Sequence, residues 1–221
     1  MLLSLNAGYV DAAGYLALQG LFSAHVTGNF VTLGASLALG TSGAIAKLLA
    51  LPMFCAVVIA TRLLDTLLSN RDRSALETLI ALEVLLLVIG AALAMHFGPF
   101  RDSDNWQAVL TGMALVAAMS MQNAFHRVHL GSAPPSTIMT GTTTQVMIDI
   151  ADRIYGPSGS DSPPSQRIVQ MSTNVLLFAV GCGGAALAYS LFSVKCFAAP
   201  PIVGSLQLII LRFRERPQYR S

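Results

Sequence analysis

The stretch His25-Val26-Thr27-Gly28-Asn29 interrupts sequence that otherwise reads as membrane. A similar stretch, Ile138-Met139-Thr140-Gly141-Thr142, follows in the second half. Each is preceded by a polar residue and an alanine, Asp11-Ala12 in the first copy and Asn123-Ala124 in the second. Asp11 stands 16 residues before Thr27, and Asn123 stands 17 before Thr140. Thr-Gly breaks and carboxylate or amide groups are costly in hydrocarbon, where backbone groups lack water to bond. Their recurrence in near register points to a duplicated membrane protein with a polar site near its centre.

Composition agrees. Hydrophobic residues make up 54% of the 221-residue chain and charged residues 11%, against about 25% charged in soluble domains. Mean hydropathy is +0.64. The formal net charge of +2 gives no reason to expect a nucleic-acid partner. Cys55, Cys182 and Cys196 are odd in number and lie in or beside apolar segments, so they read as small buried hydrophobes. No metal-ligand spacing and no cofactor motif occurs. With no basic region ahead of it, the segment from Met1 to Leu21 reads as a first span and not as a cleaved leader.

Apolar runs long enough to cross about 30 Å of hydrocarbon predict six full spans, at 2–21, 45–68, 75–97, 105–126, 168–192 and 196–211. Two shorter pieces lie between them, 26–39 and 137–155. Either can be a re-entrant half-helix or a short tilted crossing. Basic residues favour re-entry. With both termini cytoplasmic, Arg71, Arg73, Arg127, Arg153, Arg167, Arg212, Arg214, Arg216 and Arg220 fall inside, while Lys47, Arg101 and Lys195 fall outside. That is a positive-inside pattern. Full crossing by both pieces moves Arg71, Arg73 and Arg127 outside and weakens the bias.

The expected fold is therefore all-α: a polytopic helical bundle of six full spans plus two short re-entrant or broken helices, multi-pass in the cell membrane. The chain reads as one integral membrane domain, 1–221, with repeat one at 1–97, repeat two at 105–212 and a flexible Gly/Ser/Pro-rich loop at 156–166. Three crossings per repeat, an odd number, set the halves in opposite orientation, an internal inverted repeat. Such repeats are common in secondary transporters.

The residues Ala7-Gly8-Tyr9-Val10-Asp11-Ala12-Ala13-Gly14-Tyr15, His25-Val26-Thr27-Gly28-Asn29, Met121-Gln122-Asn123-Ala124 and Ile138-Met139-Thr140-Gly141-Thr142 resemble the YoaK-like family, small multipass membrane proteins defined as a domain of unknown function. The resemblance covers about Leu3 to Arg212. It implies an integral membrane protein of this size and no activity. The linker at 156–166 looks extended for the family.

Asp11 is the first candidate site residue, mid-span between Gly8 and Gly14, where an ionisable group marks a functional site by default. Its bland alternative is a structural carboxyl that bonds the Thr-Gly-Asn break. Thr27, Gly28 and Asn29 are expected to open a short helix, with glycine permitting the turn and Thr and Asn capping amides. Such a helix start suits a polar or anionic ligand. Thr140, Gly141 and Thr142 are expected to do the same from the other half. Gln122 and Asn123 supply neutral hydrogen-bonding groups, and Asn123 takes the place of Asp11. His25 and Glu83 are candidate titrating groups. Glu83 lies deep in the third span, and pairing with Arg62 is its bland account. Arg62 and Asp65 are spaced for an intrahelical pair. His126 and His129 do not read as a metal site. Gly181/Ala185 and Gly184/Ala188 form small-xxx-small patterns for tight packing, with a homodimer face as one use.

No hydrolase, phosphate-loop or metalloprotease template occurs, so an enzyme is the weaker expectation. The favoured function is a small-solute transporter or channel that takes a small molecule or ion at the repeat interface. The alternatives are a membrane enzyme acting on a lipid or small amphiphile, and a non-catalytic membrane scaffold.

Overall fold

The structure is a computed structural model and describes residues 1–69, 75–131, 133–137, 139–155 and 165–215, without the side chains of 214 and 215. Arg71, Arg73, Ile138, most of the 156–166 linker and the tail from 216 onward lie outside the described residues. All regular structure among the described residues is helical. The α-helices are α1 (Leu2–Ala17), α2 (Asn29–Leu39), α3 (Ala44–Ser69), α4 (Ala75–Phe97), α5 (Trp106–His129), α6 (Met139–Tyr155), α7 (Ser165–Phe192) and α8 (Ala199–Glu215). Short 3-10 turns at Val26–Gly28 and Ser193–Ala198 lead directly into α2 and α8.

Two expectations are corrected. The first span stops at Ala17 and not at residue 21. The last two spans are joined by the 3-10 turn into one helical run, so the described residues hold seven uninterrupted helical segments where eight were expected. The physical reason is local. Ser193, at φ 52°, opens a 3-10 turn that follows α7 directly and runs straight into α8. Four of the segments are long and apolar enough to cross a bilayer: Ala44–Ser69, Ala75–Phe97, Trp106–His129 and Ser165–Phe213.

The outer surface is greasy. Val31, Leu37, Leu63, Leu67, Leu176, Leu187 and Ile202 are all more than 60% exposed. Apolar cover on this scale is a liability in water and is ordinary against lipid. The chain is an integral membrane protein.

Inside, α1 is the central helix. It lies against α7, α8 and α5. Its seam with α7 is a backbone contact. A Cβ on Gly8 would sit 2.1 Å from the Phe178 carbonyl oxygen, and one on Gly181 would sit 2.2 Å from that of Leu5. The Cys182 thiol donates to the Gly8 carbonyl across the same seam, at 3.3 Å. Small residues let the two backbones meet, as in close-packed membrane helices. Gly181 and Ala185 of the small-xxx-small pattern are therefore buried within the protein, while Gly184 faces outward.

At one end of the bundle Arg62 pairs with Asp65 at 2.6 Å, His129 reaches Asp65 at 2.7 Å, and Arg212 pairs with Glu77. An apolar layer of Leu3, Leu79, Ile80 and Phe125, with Leu208 and Leu211 against it, closes that end. α4 and α8 are antiparallel, since Glu77 meets Arg212 while Val84 lies beside Gly204. α1 and α5 are antiparallel as well. Gln122 donates to the Leu3 carbonyl, while Gly112 packs on Leu18 and Leu21.

At the other end Asp104, in the loop before α5, accepts from the backbone N–H groups of Gly43 and Ile45, both at 2.9 Å. It thus caps α3 from a distant loop. Asp104→Ala is expected to cost about 1 kcal/mol, read as a lowered unfolding midpoint in detergent. Asp104→Asn should recover most of the loss.

Candidate functional site

The first break is built by a chain reversal. α1 ends at Ala17, and Gln19 (φ 51°) and Gly20 (φ 91°) turn the backbone through the left-handed region. The segment Leu21–His25 then runs back along α1. Ser23 lies against Gly14, and Ala24 reaches Asp11 one turn deeper. A side chain at Gly14 would collide with the Ser23 hydroxyl, which is why glycine stands there.

Asp11 is the acceptor that ends this return. Its Oδ1 accepts from the Ala24 N–H at 2.7 Å and more weakly from the His25 N–H at 3.4 Å. Its Oδ2 lies 2.8 Å from His25 Nδ1. The carboxylate is only 4% exposed, and these bonds replace the water it has lost. His25 is half-buried, its ring edge-on to Phe178 at 5.2 Å between centroids.

Asn29 holds the start of α2 to the returning segment. Its Oδ1 accepts from Phe22 N–H and its Nδ2 donates to Phe22 C=O, both at 2.8 Å. Gly28 fits beneath the Phe22 ring, 3.0 Å from where a Cβ would be. Neither Thr27 nor Asn29 caps the following helix through its side chain. Asn29 is a clamp on the return, and Thr27 is exposed on the outer surface.

At the second break the polar pair is neutral. Thr137 donates its hydroxyl to Asn123 Oδ1, and Asn123 Nδ2 donates to the Met119 carbonyl at 3.0 Å. The separation from Asn123 to Thr137 is 14 residues, equal to that from Asp11 to His25. Beside it, Gln122 Nε2 donates to Leu3 C=O and to the Ser136 hydroxyl, each at 3.1 Å. Thr137 and Ser136 escaped the sequence reading, which placed the second polar group at Thr140. The signal was the register: fourteen residues beyond Asn123, as His25 is beyond Asp11.

The two breaks meet. The His25 ring is hydrogen-bonded to Asp11 and lies close to the Thr137 backbone. A polar chain thus runs from Asp11 through His25 and Thr137 to Asn123. Thr140 and Gly141 are exposed and lie away from it, and Thr142 is buried on α6. Glu83 lies elsewhere, 1% exposed in α4, and Arg62 is engaged with Asp65 in place of it.

Cavities flank the polar chain. On the Asp11 side a groove of about 820 Å³ opens between α1, α7 and the first break, lined by Asp11, Tyr15, Phe22, His25, Phe178 and Cys182 among others. On the Asn123 side a recess of about 80 Å³ is lined by Asn123, His126, Arg127, Ser136 and Thr137 among others. The groove is mostly apolar with one ionisable pair at its inner wall. It suits a small molecule with an apolar body and one polar group. No group of three or more His, Cys, Asp or Glu side chains among the described residues could hold a metal ion.

A family profile described as "Protein of unknown function (DUF1275)" matches residues 1–210. The chain is 34% identical over 160 residues to the UPF0700 transmembrane protein YoaK of Bacillus subtilis (strain 168), which covers 70% of this chain and 67% of that one. No solved structure matches.

Proposed function

This chain belongs to the DUF1275 family of unknown function, and from that premise we propose that it is a transporter of a small amphiphilic solute. Asp11, His25, Thr137 and Asn123 form its central site, and Gly28, Asn29 and Gln122 hold that site in shape. The observation that carries the reading is that the two breaks hold equally spaced polar pairs, Asp11–His25 and Asn123–Thr137, each facing a cavity. Polar backbone and a carboxylate are retained at membrane depth where they line a binding cavity.

The same reading takes the chain as six crossings, α1, α3, α4, α5, α7 and α8, with α2 and α6 re-entrant. Repeats 1–97 and 105–212 are then inverted, with both termini cytoplasmic. The antiparallel course of α1 and α5 and the equal spacing of the two polar pairs support it. Alternating access is the breaking and remaking of the His25–Thr137 contact as one repeat rocks on the other.

Reconstituted vesicles screened for flux of small amphiphiles provide the test. Asp11→Asn keeps the bonds to the Ala24 and His25 N–H groups and removes the charge facing the ring. Transport at least about 10-fold slower is expected, since an interaction with a charged partner is lost. Wild-type flux in this variant removes Asp11 from the mechanism. A lipid-modifying enzyme gains no comparable support, because no second carboxylate or metal cluster among the described residues joins Asp11.

A further inference from the structure

A second set of buried polar side chains lies in the core, one helical turn inward from the apolar layer of Leu3, Leu79, Ile80, Phe125, Leu208 and Leu211. Four helices pass that level, α1, α4, α5 and α8. Each puts a polar residue there, on the face that carries its layer residue. Asn6 follows Leu3 by three positions, and Glu83 follows Ile80 by three. Gln122 precedes Phe125 by three, and Gln207 precedes Leu211 by four. Spacings of three and four keep residues on one helix face. The antiparallel courses of α1 with α5 and of α4 with α8 turn these steps in the same direction along the bundle.

The chemistry of the four is unbalanced. Glu83, Asn6 and Gln122 are at most 1% exposed. Both Glu83 carboxyl oxygens, Asn6 Oδ1, Gln122 Oε1 and Gln207 Oε1 are buried without a hydrogen-bond partner. Against these five acceptors stand two unpartnered groups that can donate, Asn6 Nδ2 and the Ser4 hydroxyl on the same helix. The Gln122 orientation is fixed, since its Nε2 already serves Leu3 C=O and Ser136. No described salt bridge includes Glu83. Arg62, Arg167 and Arg212 each hold another carboxylate at the bundle's end.

Buried polar atoms are ordinarily satisfied, and a buried charge is paired or bound to an ion. An excess of oxygen acceptors around one carboxylate is the donor set of a hard cation, and a single negative charge matches a monovalent one. We propose that Glu83, with the side-chain oxygens of Asn6, Gln122 and Gln207, forms an intramembrane binding site for sodium ion. The site is separate from the Asp11–His25 pair and does not depend on the transport reading. Gln122 links the two regions, because the Ser136 it holds is next to Thr137.

The test uses the full chain in detergent or nanodiscs, with sodium chloride as the probe and choline chloride at equal ionic strength as the control. Wild type is expected to bind radiosodium saturably and to unfold at higher temperature as sodium rises, since a ligand of the folded state stabilises it. Glu83→Gln should weaken binding by about 10-fold or more, as loss of a ligand-sphere group does, and should abolish the sodium-dependent shift. Gln207→Ala removes one neutral oxygen and should weaken binding less, and it keeps the test open if Glu83→Gln does not fold. Asp11→Asn should bind sodium as wild type does, so failure here and failure of the transport reading are told apart. Sodium binding unchanged in Glu83→Gln or, should that variant not fold, in Gln207→Ala overturns the proposal. So does a sodium-independent carboxylic-acid carbonyl band in the infrared spectrum that disappears in Glu83→Gln, which would make Glu83 a protonated acid.

Discussion

Gly181→Ala is expected to disrupt the seam between α1 and α7 and, like Gly8→Ala on the facing helix, to produce a large loss of stability. The new Cβ would meet the Leu5 carbonyl oxygen at 2.2 Å and the Tyr9 backbone nitrogen at 2.9 Å. Neither is the end of a flexible side chain, so the two helices must separate. Overpacking a tight core typically costs about 1–3 kcal/mol, and a backbone–backbone clash belongs at or above the top of that range. The separation also weakens the Cys182 bond to Gly8 and shifts Phe178 away from His25. The measurement is the unfolding midpoint in detergent by tryptophan fluorescence or a thiol-reactive dye at Cys182. Gly183→Ala, two residues on and with no neighbouring atom within 4 Å of its Cβ position, is the matched control and should change little. Equal midpoints for Gly181→Ala and Gly183→Ala would show that this seam is not close-packed.

Asp11→Leu is the second large effect, and it differs in kind from Asp11→Asn. Leucine removes all three contacts that stop the returning segment, those to Ala24 N–H, His25 N–H and the His25 ring. The Ala24 N–H is then buried without an acceptor, and His25 loses its carboxylate. Leaving a buried donor without its acceptor costs about 1–3 kcal/mol. The expected outcome is a loosened first break, with a cysteine placed at Ala24 becoming labelled by a water-soluble maleimide that does not reach it in the parent. Asp11→Asn retains an acceptor and should keep that cysteine protected. If Asp11→Leu leaves both the labelling and the unfolding midpoint unchanged, Asp11 does not hold the break.

Much of this was legible in the sequence, and the residues show why. Membrane character, the helical class and the existence of two interruptions follow from hydropathy and from Thr-Gly pairs, which are local signals. The pairing of Arg62 with Asp65 follows from spacing alone. The partner of each interruption was less accessible. Asn29 was expected to cap a helix because asparagine commonly does, and it instead clamps Phe22 seven residues back. Thr140 drew attention because it begins a Thr-Gly pair, while the bond to Asn123 is made by Thr137. The capping of α3 by Asp104 crosses 61 residues and leaves no trace in a local window. The first helix was read too long because Leu18 and Leu21 are apolar. They are buried, but in the turn and the return beyond the helix.

The intimate contact between α1 and α7 also bears on biogenesis. Gly8 and Cys182 are 174 positions apart, so α1 leaves the ribosome long before the helix it packs against most closely. Until then it waits in the insertion machinery or in lipid with a bare glycine flank. A ribosome that stalls before α7 releases a product recognisable by that uncovered flank. Clearance of such fragments by membrane proteases would discard unfinished copies while sparing complete ones.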